Sequence, residues 1–160
     1  MKDQPSIIPV EEYKKNFKQN TKVAKEEKVQ LTICKYLKVK YPNVIFTCDL
    51  ASGLHLPIWI SALHKKMRSS RGMPDLFIAH PKRPNFSATT VAESFDGYKG
   101  LFIELKNESV VVYKKDGSLR ADKHLEEQAA ILKRLSGLGY KAVFACGVDE
   151  AIDIIDEYLS

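Results

Sequence analysis

The chain has 160 residues, of which 44% are hydrophobic, and carries a formal net charge of +5 at pH 7. This length suits one ordinary domain with its own hydrophobic core. No stretch approaches the roughly 18 consecutive apolar residues of a membrane helix, and the N-terminal residues lack the apolar segment of a signal peptide. We therefore expect a single cytoplasmic domain with no membrane partner. The positive charge favours a polyanionic partner such as nucleic acid.

The motifs that the sequence lacks narrow its function. Cys34, Cys48 and Cys146 are far apart and form no Cys-x-x-Cys pair, so we expect neither a disulfide framework nor a zinc site, and interpret them as buried or incidental thiols. The four histidines show no metal-ligand spacing. No P-loop, Gly-x-Ser-x-Gly or Gly-x-Gly-x-x-Gly motif occurs, which argues against NTPase, serine hydrolase and dinucleotide-binding functions.

The N-terminal part of the chain predicts an arm followed by a helix. Residues 1–20 are polar, contain two prolines and show no clear period, so we treat them as an arm outside the single domain at 21–160. From about Lys22, apolar residues recur at helical spacing until Tyr41 and Pro42 end the run. The apolar stripe of this predicted helix consists of Val29, Ile33 and Leu37.

Three strands are predicted next. VIFTCDL at 44–50 is rich in β-branched and aromatic residues and predicts the first strand. The following segment contains prolines, glycines and a short predicted helix from Pro57 to Met67. DLFIAH at 75–80 predicts the second strand and GLFIELKNE at 100–108 the third. In the third strand Leu101, Ile103 and Leu105 alternate with Phe102, Glu104 and Lys106, so Glu104 and Lys106 share one face.

The C-terminal half predicts a hairpin with Asp116 and Gly117 as its turn, followed by a helix, a strand and a helix. The first of these helices, at 124–139, carries an apolar stripe of Leu125, Ala129, Leu132 and Leu135. The strand KAVFACG should run parallel to the third strand because a helix connects the two. The sequence thus predicts an α/β fold with a central mixed β-sheet flanked by helices, in the order α-β-β-β-α-β-α.

Asp75, Glu104 and Lys106 form a candidate catalytic set. Pairing of the second and third strands brings Asp75 and Glu104 close together, and two buried carboxylates repel each other unless a cation lies between them. Carboxylate, carbonyl and water oxygens suit Mg²⁺ or Mn²⁺. Taken singly, an Asp at a strand start is commonly a turn residue, and a Glu-x-Lys pair is commonly an ion pair. Their combination behind Gly-x-Pro favours a metal site.

Gln128 lies on the apolar stripe of the helix at 124–139, where a buried amide needs hydrogen-bond partners. Two interpretations stay open from the residues alone. The amide either caps a nearby backbone group or lies beside the metal site or the scissile phosphate.

The segments GMPDLFIAH, GLFIELKNE and EEQAAILKRLSGLGYKAVFACGVDEA resemble the VRR-NUC family of the PD-(D/E)xK superfamily. In that family a Gly-x-Pro-Asp strand precedes a Glu-x-Lys strand and a helix that carries a glutamine. The resemblance covers roughly residues 25 to 158. It implies a restriction-endonuclease-like core and a divalent-metal-dependent nuclease, in the cytoplasm of a bacterial cell or a phage-infected host. The spacing between Asp75 and Glu104 is longer than in compact members, with the excess at 81–100.

The resemblance also implies roles for individual residues. Asp75, Glu104 and the backbone carbonyl of Ile103 would be metal ligands, and Lys106 the catalytic lysine. A glutamate on the first helix often completes the site, with a glutamine one turn later. Glu26 with Gln30 fits this pattern, and Glu26 lies on the inward stripe of that helix. Glu27 is the competing choice. Gln128 would complete the catalytic set.

DNA is the implied substrate. The basic residues that precede Asp75 would contact its phosphates without reading sequence: these are Lys65, Lys66, Arg68 and Arg71. Small members of the family are associated with branched or flapped DNA, with repair or recombination, and with homodimers. The alternative hypothesis is a nucleic-acid-binding module of the same fold without turnover.

Overall fold

The computed structural model describes residues 25–49, 58–67, 72–82 and 97–160. The predicted arm at 1–20 lies outside this part of the chain, as do residues 50–57, 68–71 and 83–96. The described residues contain four helices and four strands. In chain order they are α1 Lys25–Lys40, β1 Phe46–Cys48, α2 Ile58–Met67, β2 Leu76–Ile78, β3 Leu101–Lys106, α3 Lys123–Gly137, β4 Lys141–Cys146 and α4 Gly147–Leu159.

The four strands form one mixed sheet in the order β1-β2-β3-β4. The first three strands are antiparallel, with Leu76 opposite Ile103. β4 runs parallel to β3, with Lys106 opposite Cys146, as expected for two strands joined through helix α3. The mixed α/β sheet predicted from the sequence is confirmed. The observed order contains one more helix than α-β-β-β-α-β-α, because the short helix predicted near 57–67 forms as α2.

Helices cover both faces of the sheet. α1 and α4 pack on the face that carries the inward apolar residues of β3, and these residues form the main core. Helix α3 covers the other face with a smaller cluster of Val112, Leu125, Leu132 and Phe144. The sides of β3 therefore differ: one belongs to the main core, and the other, with Glu104 and Lys106, faces α3.

Local sequence explains where the helices begin and end. α1 has Glu26 and Glu27 in its first turn and Lys38 and Lys40 in its last, which complements the helix dipole. At the start of α3, the carboxylate of Asp122 accepts hydrogen bonds from the backbone N–H groups of His124 and Leu125, a favourable N-cap. None of the described helices is both long enough and apolar enough to cross a membrane.

Candidate active site

Asp75 lies in a bend directly before β2 and is buried. Its carboxylate Oδ2 accepts a hydrogen bond from the backbone N–H of Leu105 at 2.9 Å. Its backbone carbonyl accepts one from the N–H of Asp49 at 2.7 Å, next to β1. Because β2 begins only at Leu76 and Leu76 pairs with Ile103, the backbone of β3 beyond Ile103 has no strand partner on this side, and the Asp75 side chain binds there instead.

Glu104 is the centre of a buried polar cluster. Lys106 Nζ donates to Glu104 Oε1 at 2.9 Å, and Gln128 Nε2 on α3 donates to the same oxygen. Asp75, Glu104, Lys106 and Gln128 are 5%, 2%, 6% and 4% exposed respectively. The other side-chain oxygens, Glu104 Oε2 and Gln128 Oε1, are buried and find no hydrogen-bond partner among the described residues. Such atoms are rare in native proteins, and a bound water, an ion or a catalytic role commonly explains them.

The pKa of Glu104 is raised from 4.5 to about 8. Burial is the largest cause, and the charge of Asp75 adds to it. The ammonium of Lys106 acts in the opposite direction through its charge and its hydrogen bond, but does not compensate for both effects. The protein thus holds a carboxylate where its charge is poorly stabilised by the protein alone, a common feature of catalytic and metal-binding sites.

Glu26 lies close enough to the site for its charge to act on Glu104. It is half-buried in the first turn of α1, and its charge also raises the pKa of Glu104. Glu27 is not among the causes of that shift. Gln30, one turn after Glu26, is buried. The effect of its charge on Glu104 supports Glu26 over Glu27, and the role of Glu26 in the site stays a prediction.

Gly72 explains how the turn before Asp75 fits against α3. Its φ of 81° lies in the left-handed region that favours glycine. A Cβ at this position would lie 3.3 Å from both Cα and Cγ of Gln128. Because Gly72 has no side chain, the turn approaches α3 closely. Gln128 then hydrogen-bonds to Glu104, and the charge of Asp75 acts on the same residue. Nothing in the sequence indicates the contact between Gly72 and Gln128.

The donor set fits a hard divalent cation. Within the described ranges, no three His, Cys, Asp or Glu side chains are close enough to form a protein-only metal site. Mg²⁺, however, is usually held by one or two carboxylates with water and substrate oxygens. Asp75 and the unpartnered Oε2 of Glu104 provide such carboxylate oxygens next to each other.

Two backbone carbonyls are candidate further ligands. Ile103 is paired with Leu76 on one side and Val143 on the other, and its carbonyl as a ligand stays a prediction. The N–H and C=O of one strand residue point to the same side. The carbonyl of Leu105, whose N–H binds Asp75, therefore points toward the same side as Asp75. No pattern in the sequence indicates a role for the carbonyl of Leu105.

The basic residues predicted to contact DNA are mostly outside the described part of the chain. Lys66 is exposed on α2. The side chain of Lys65, together with Arg68 and Arg71, is not described. The role of all four residues in DNA binding stays a prediction.

Comparison with known proteins gives one informative match. No protein-family model matches the chain, and no curated protein does. Among solved structures, a protein named "VRR_NUC domain protein" aligns over 87% of this chain and 91% of its own, with 24% identity and a TM-score of 0.50. The chain shares its fold with this VRR_NUC domain protein. Because the alignment includes nearly all of both chains, the likeness extends over the sheet and the helices that carry the polar cluster.

Proposed function

We propose that the protein is a divalent-metal-dependent nuclease that hydrolyses phosphodiester bonds in DNA. The observation that carries this proposal is the state of Glu104. It is buried beside a second carboxylate, it is held by a lysine and a glutamine, and one of its oxygens has no partner among the described residues. A shared fold with a VRR_NUC domain protein supports the same function.

Each residue of the cluster has a role in this proposal. A bound Mg²⁺ or Mn²⁺, held by Asp75 and Glu104 with Glu26 nearby, would supply Lewis-acid polarisation of the phosphodiester. The N–H of Leu105 orients Asp75, and the amide of Gln128 orients Glu104. The ammonium of Lys106 is buried and fixed by Glu104, so it offers a preorganised positive charge to the phosphate as negative charge develops.

Without cation or substrate, Glu104 holds its proton at neutral pH, because its pKa is raised to about 8 by burial and by the charge of Asp75. Release of this proton leaves both carboxylates charged, which favours uptake of a cation over an empty site. In the proposed metal site, a proton on Glu104 thus limits the repulsion between the two carboxyl groups when no cation is bound, and a cation would take over that role.

The proposed substrate is DNA with a branch or a flap, cut internally. The net charge of +5 favours a polyanion, and Lys66 is exposed on α2. Lys65, Arg68 and Arg71 are proposed to contact the same phosphates. A homodimer remains a prediction of the family resemblance, which sedimentation velocity would test.

Cleavage of labelled branched, flapped and linear duplexes tests the proposal. The wild-type protein should cut at least one of them with Mg²⁺ or Mn²⁺ and none with a chelator. Asp75→Asn, which keeps shape and hydrogen bonding but removes the charge, should lose cleavage by a factor of at least about 100. Asp153→Asn, at an exposed position on α4, is the matched control and should keep it.

Equal cleavage by the wild type and Asp75→Asn would refute the proposed site. DNA binding without metal-dependent cleavage of any substrate would instead support the non-catalytic module of the same fold.

A further inference from the structure

The connection between β3 and α3 forms a hairpin with a well-defined tip. Tyr113 pairs with Leu119, and the N–H of Lys114 donates to the carbonyl of Ser118 at 2.8 Å. At the tip, Gly117 has a φ of 80°, and the carboxylate of Asp116 accepts hydrogen bonds from the N–H and hydroxyl of Ser118. These bonds hold residues 114–118 in a defined turn.

The base of this hairpin is anchored in the core. Val112 is 3% exposed and belongs to the cluster beneath α3. Tyr113 packs edge-on against Phe144, with ring centroids 6.2 Å apart. The N–H of Arg120 donates to the carbonyl of Val112 at 3.0 Å. The hairpin is therefore fixed to the body of the domain at its base, while its tip projects outward.

Both ends of the hairpin lie beside the proposed active site. On the incoming side, the backbone of Val112 hydrogen-bonds to the thiol of Cys146, which is opposite Lys106 in the sheet. On the outgoing side, the chain enters α3 at Asp122. The N–H groups of Leu125 and His124 lower the pKa of Asp122, and the charge of Lys106 contributes to the shift. Lys106 is thus close to both ends.

The hairpin and the start of α3 carry four exposed cations: Lys114, Lys115, Arg120 and Lys123. None of the four forms an ion pair with another residue that the structure describes. Two of the neighbouring acids, Asp116 and Asp122, instead accept hydrogen bonds from nearby backbone N–H groups. From 114 to 123 the chain therefore carries four exposed cations against two exposed acids, Asp116 and Asp122.

We propose that this hairpin is a phosphate-binding arm of the active site, in which Lys114, Lys115, Arg120 and Lys123 hold the backbone of the DNA strand next to the scissile bond. The inference rests on the proposed function, since it takes the ligand to be the DNA that the Glu104 site cleaves. Flexible cations at a fixed distance from the site suit backbone contacts, which position the duplex without reading its sequence.

DNA binding as a function of salt tests the arm. Binding of a labelled duplex is measured by fluorescence anisotropy in a chelator, so that no cleavage occurs. The double variant Lys114→Gln/Lys115→Gln should bind several-fold more weakly at low salt. Its slope of log K against log [salt] should be smaller by about 2, because each lost phosphate contact removes roughly 0.9. Lys114→Arg/Lys115→Arg should restore both quantities.

The matched control is Lys38→Gln/Lys133→Gln, which removes the same charge from exposed positions near the end of α1 and on α3. A slope unchanged in the hairpin variant, or reduced equally in the control, would overturn the arm while leaving the nuclease proposal intact. Failure of the wild type to bind or cleave any DNA would overturn the proposed function itself, and the arm with it.

Discussion

Gln128 on α3 donates a hydrogen bond from its amide Nε2 to Oε1 of Glu104 on β3, and each side chain keeps one buried oxygen without a partner among the described residues. A core amide that served only packing or stability would be expected to satisfy both of its polar ends. This pair instead leaves one acceptor on each side chain unsatisfied. The relationship supports the proposed role of Gln128, which is to position Glu104 for a third group.

Gln128→Met should therefore reduce activity far more than stability. Methionine fills a similar volume and removes both the donor and the unsatisfied oxygen, so we expect the free energy of unfolding to change by no more than about 1 kcal/mol. Cleavage should fall roughly tenfold to a hundredfold, as is typical when the partner of a metal ligand is removed. Urea denaturation and single-turnover cleavage measure the two quantities.

Leu132→Met, one turn further along the same buried face, is the control for methionine in the helix and should keep full activity. A large loss of stability in Gln128→Met with activity retained would show that Gln128 is a structural residue.

Part of this site could be predicted from sequence because it depends on local periodicity. Strand alternation placed Glu104 and Lys106 on one face, and a glutamine on an apolar stripe indicated a buried amide. The hydrogen bond from Leu105 to Asp75 could not be predicted, since it depends on β2 beginning one residue after Asp75. The contact between Gly72 and Gln128 likewise depends on how the turn packs against α3.

Gly72→Ala should lower both stability and activity. At a φ of 81° an alanine is strained by roughly 1–2 kcal/mol, and its Cβ would press on Gln128 at 3.3 Å. The resulting shift would separate Gln128 from Glu104 or Asp75 from its place before β2. Thermal unfolding and cleavage measure both effects in the same preparation.

Gly139→Ala, away from the hairpin, provides a matched control for the strain. Its φ is 90°, and the nearest atoms that a Cβ there would meet belong to the flexible side chain of Lys99, at 3.3 Å. Both variants should lose similar backbone stability, and only Gly72→Ala should lose most of its cleavage activity. Equal activity in the two variants would contradict a positioning role for Gly72.

Stability should depend on pH and on divalent cations through Glu104. Its pKa is 4.5 in the reference state and about 8 in the folded protein, because of burial and the charge of Asp75. The folded state therefore binds the proton more tightly, so this group lowers the free energy of unfolding as pH rises from 4.5 to about 8. In the presence of a chelator, this decrease in the free energy of unfolding should be on the order of a few kcal/mol.

Comparison of wild type with Glu104→Gln isolates this effect, because glutamine does not titrate, and the variant should be the more stable protein near pH 8. Glu126→Gln, at an exposed position on α3, controls for the loss of one carboxylate.

Mg²⁺ should raise the melting temperature of the wild type near pH 8 and not near pH 4.5, since only ionised carboxylates bind it. A cation effect of the same size in Glu104→Gln would exclude Glu104 as a ligand.

The fold was predictable in outline and less so at its edges. The apolar run at 44–50 predicted a strand, of which Phe46–Cys48 pairs with β2, with one further backbone hydrogen bond at each end, to Ile45 and from Asp49. An apolar run shows which residues suit a strand, whereas the neighbouring backbone decides where pairing stops. Contacts between distant residues gave no sequence signal: Tyr36 on α1 binds Asp156 on α4, with nothing in either helix to indicate it.

Asp156 should stabilise the packing of α1 against α4 in a pH-dependent way. Its carboxylate accepts hydrogen bonds from the hydroxyls of Tyr36 and Tyr41 and from the ammonium of Lys40, at 2.6 to 2.8 Å. Burial by itself raises the pKa of Asp156, but these hydrogen bonds outweigh it and hold the pKa below its usual value of 3.8. The stabilisation is therefore present above pH 3.8 and is lost as pH falls through the folded-state pKa.

Asp156→Asn should reduce the free energy of unfolding by about 1–2 kcal/mol at neutral pH, because the hydrogen bonds lose their charged acceptor. Its difference from the wild type should shrink once the pH falls well below 3.8, where Asp156 becomes protonated in both states. Urea denaturation over a range of acidic pH measures this, with Asp153→Asn on the exposed side of α4 as control. A difference that stays constant down to the lowest pH would mean that shape rather than charge at position 156 links the two helices.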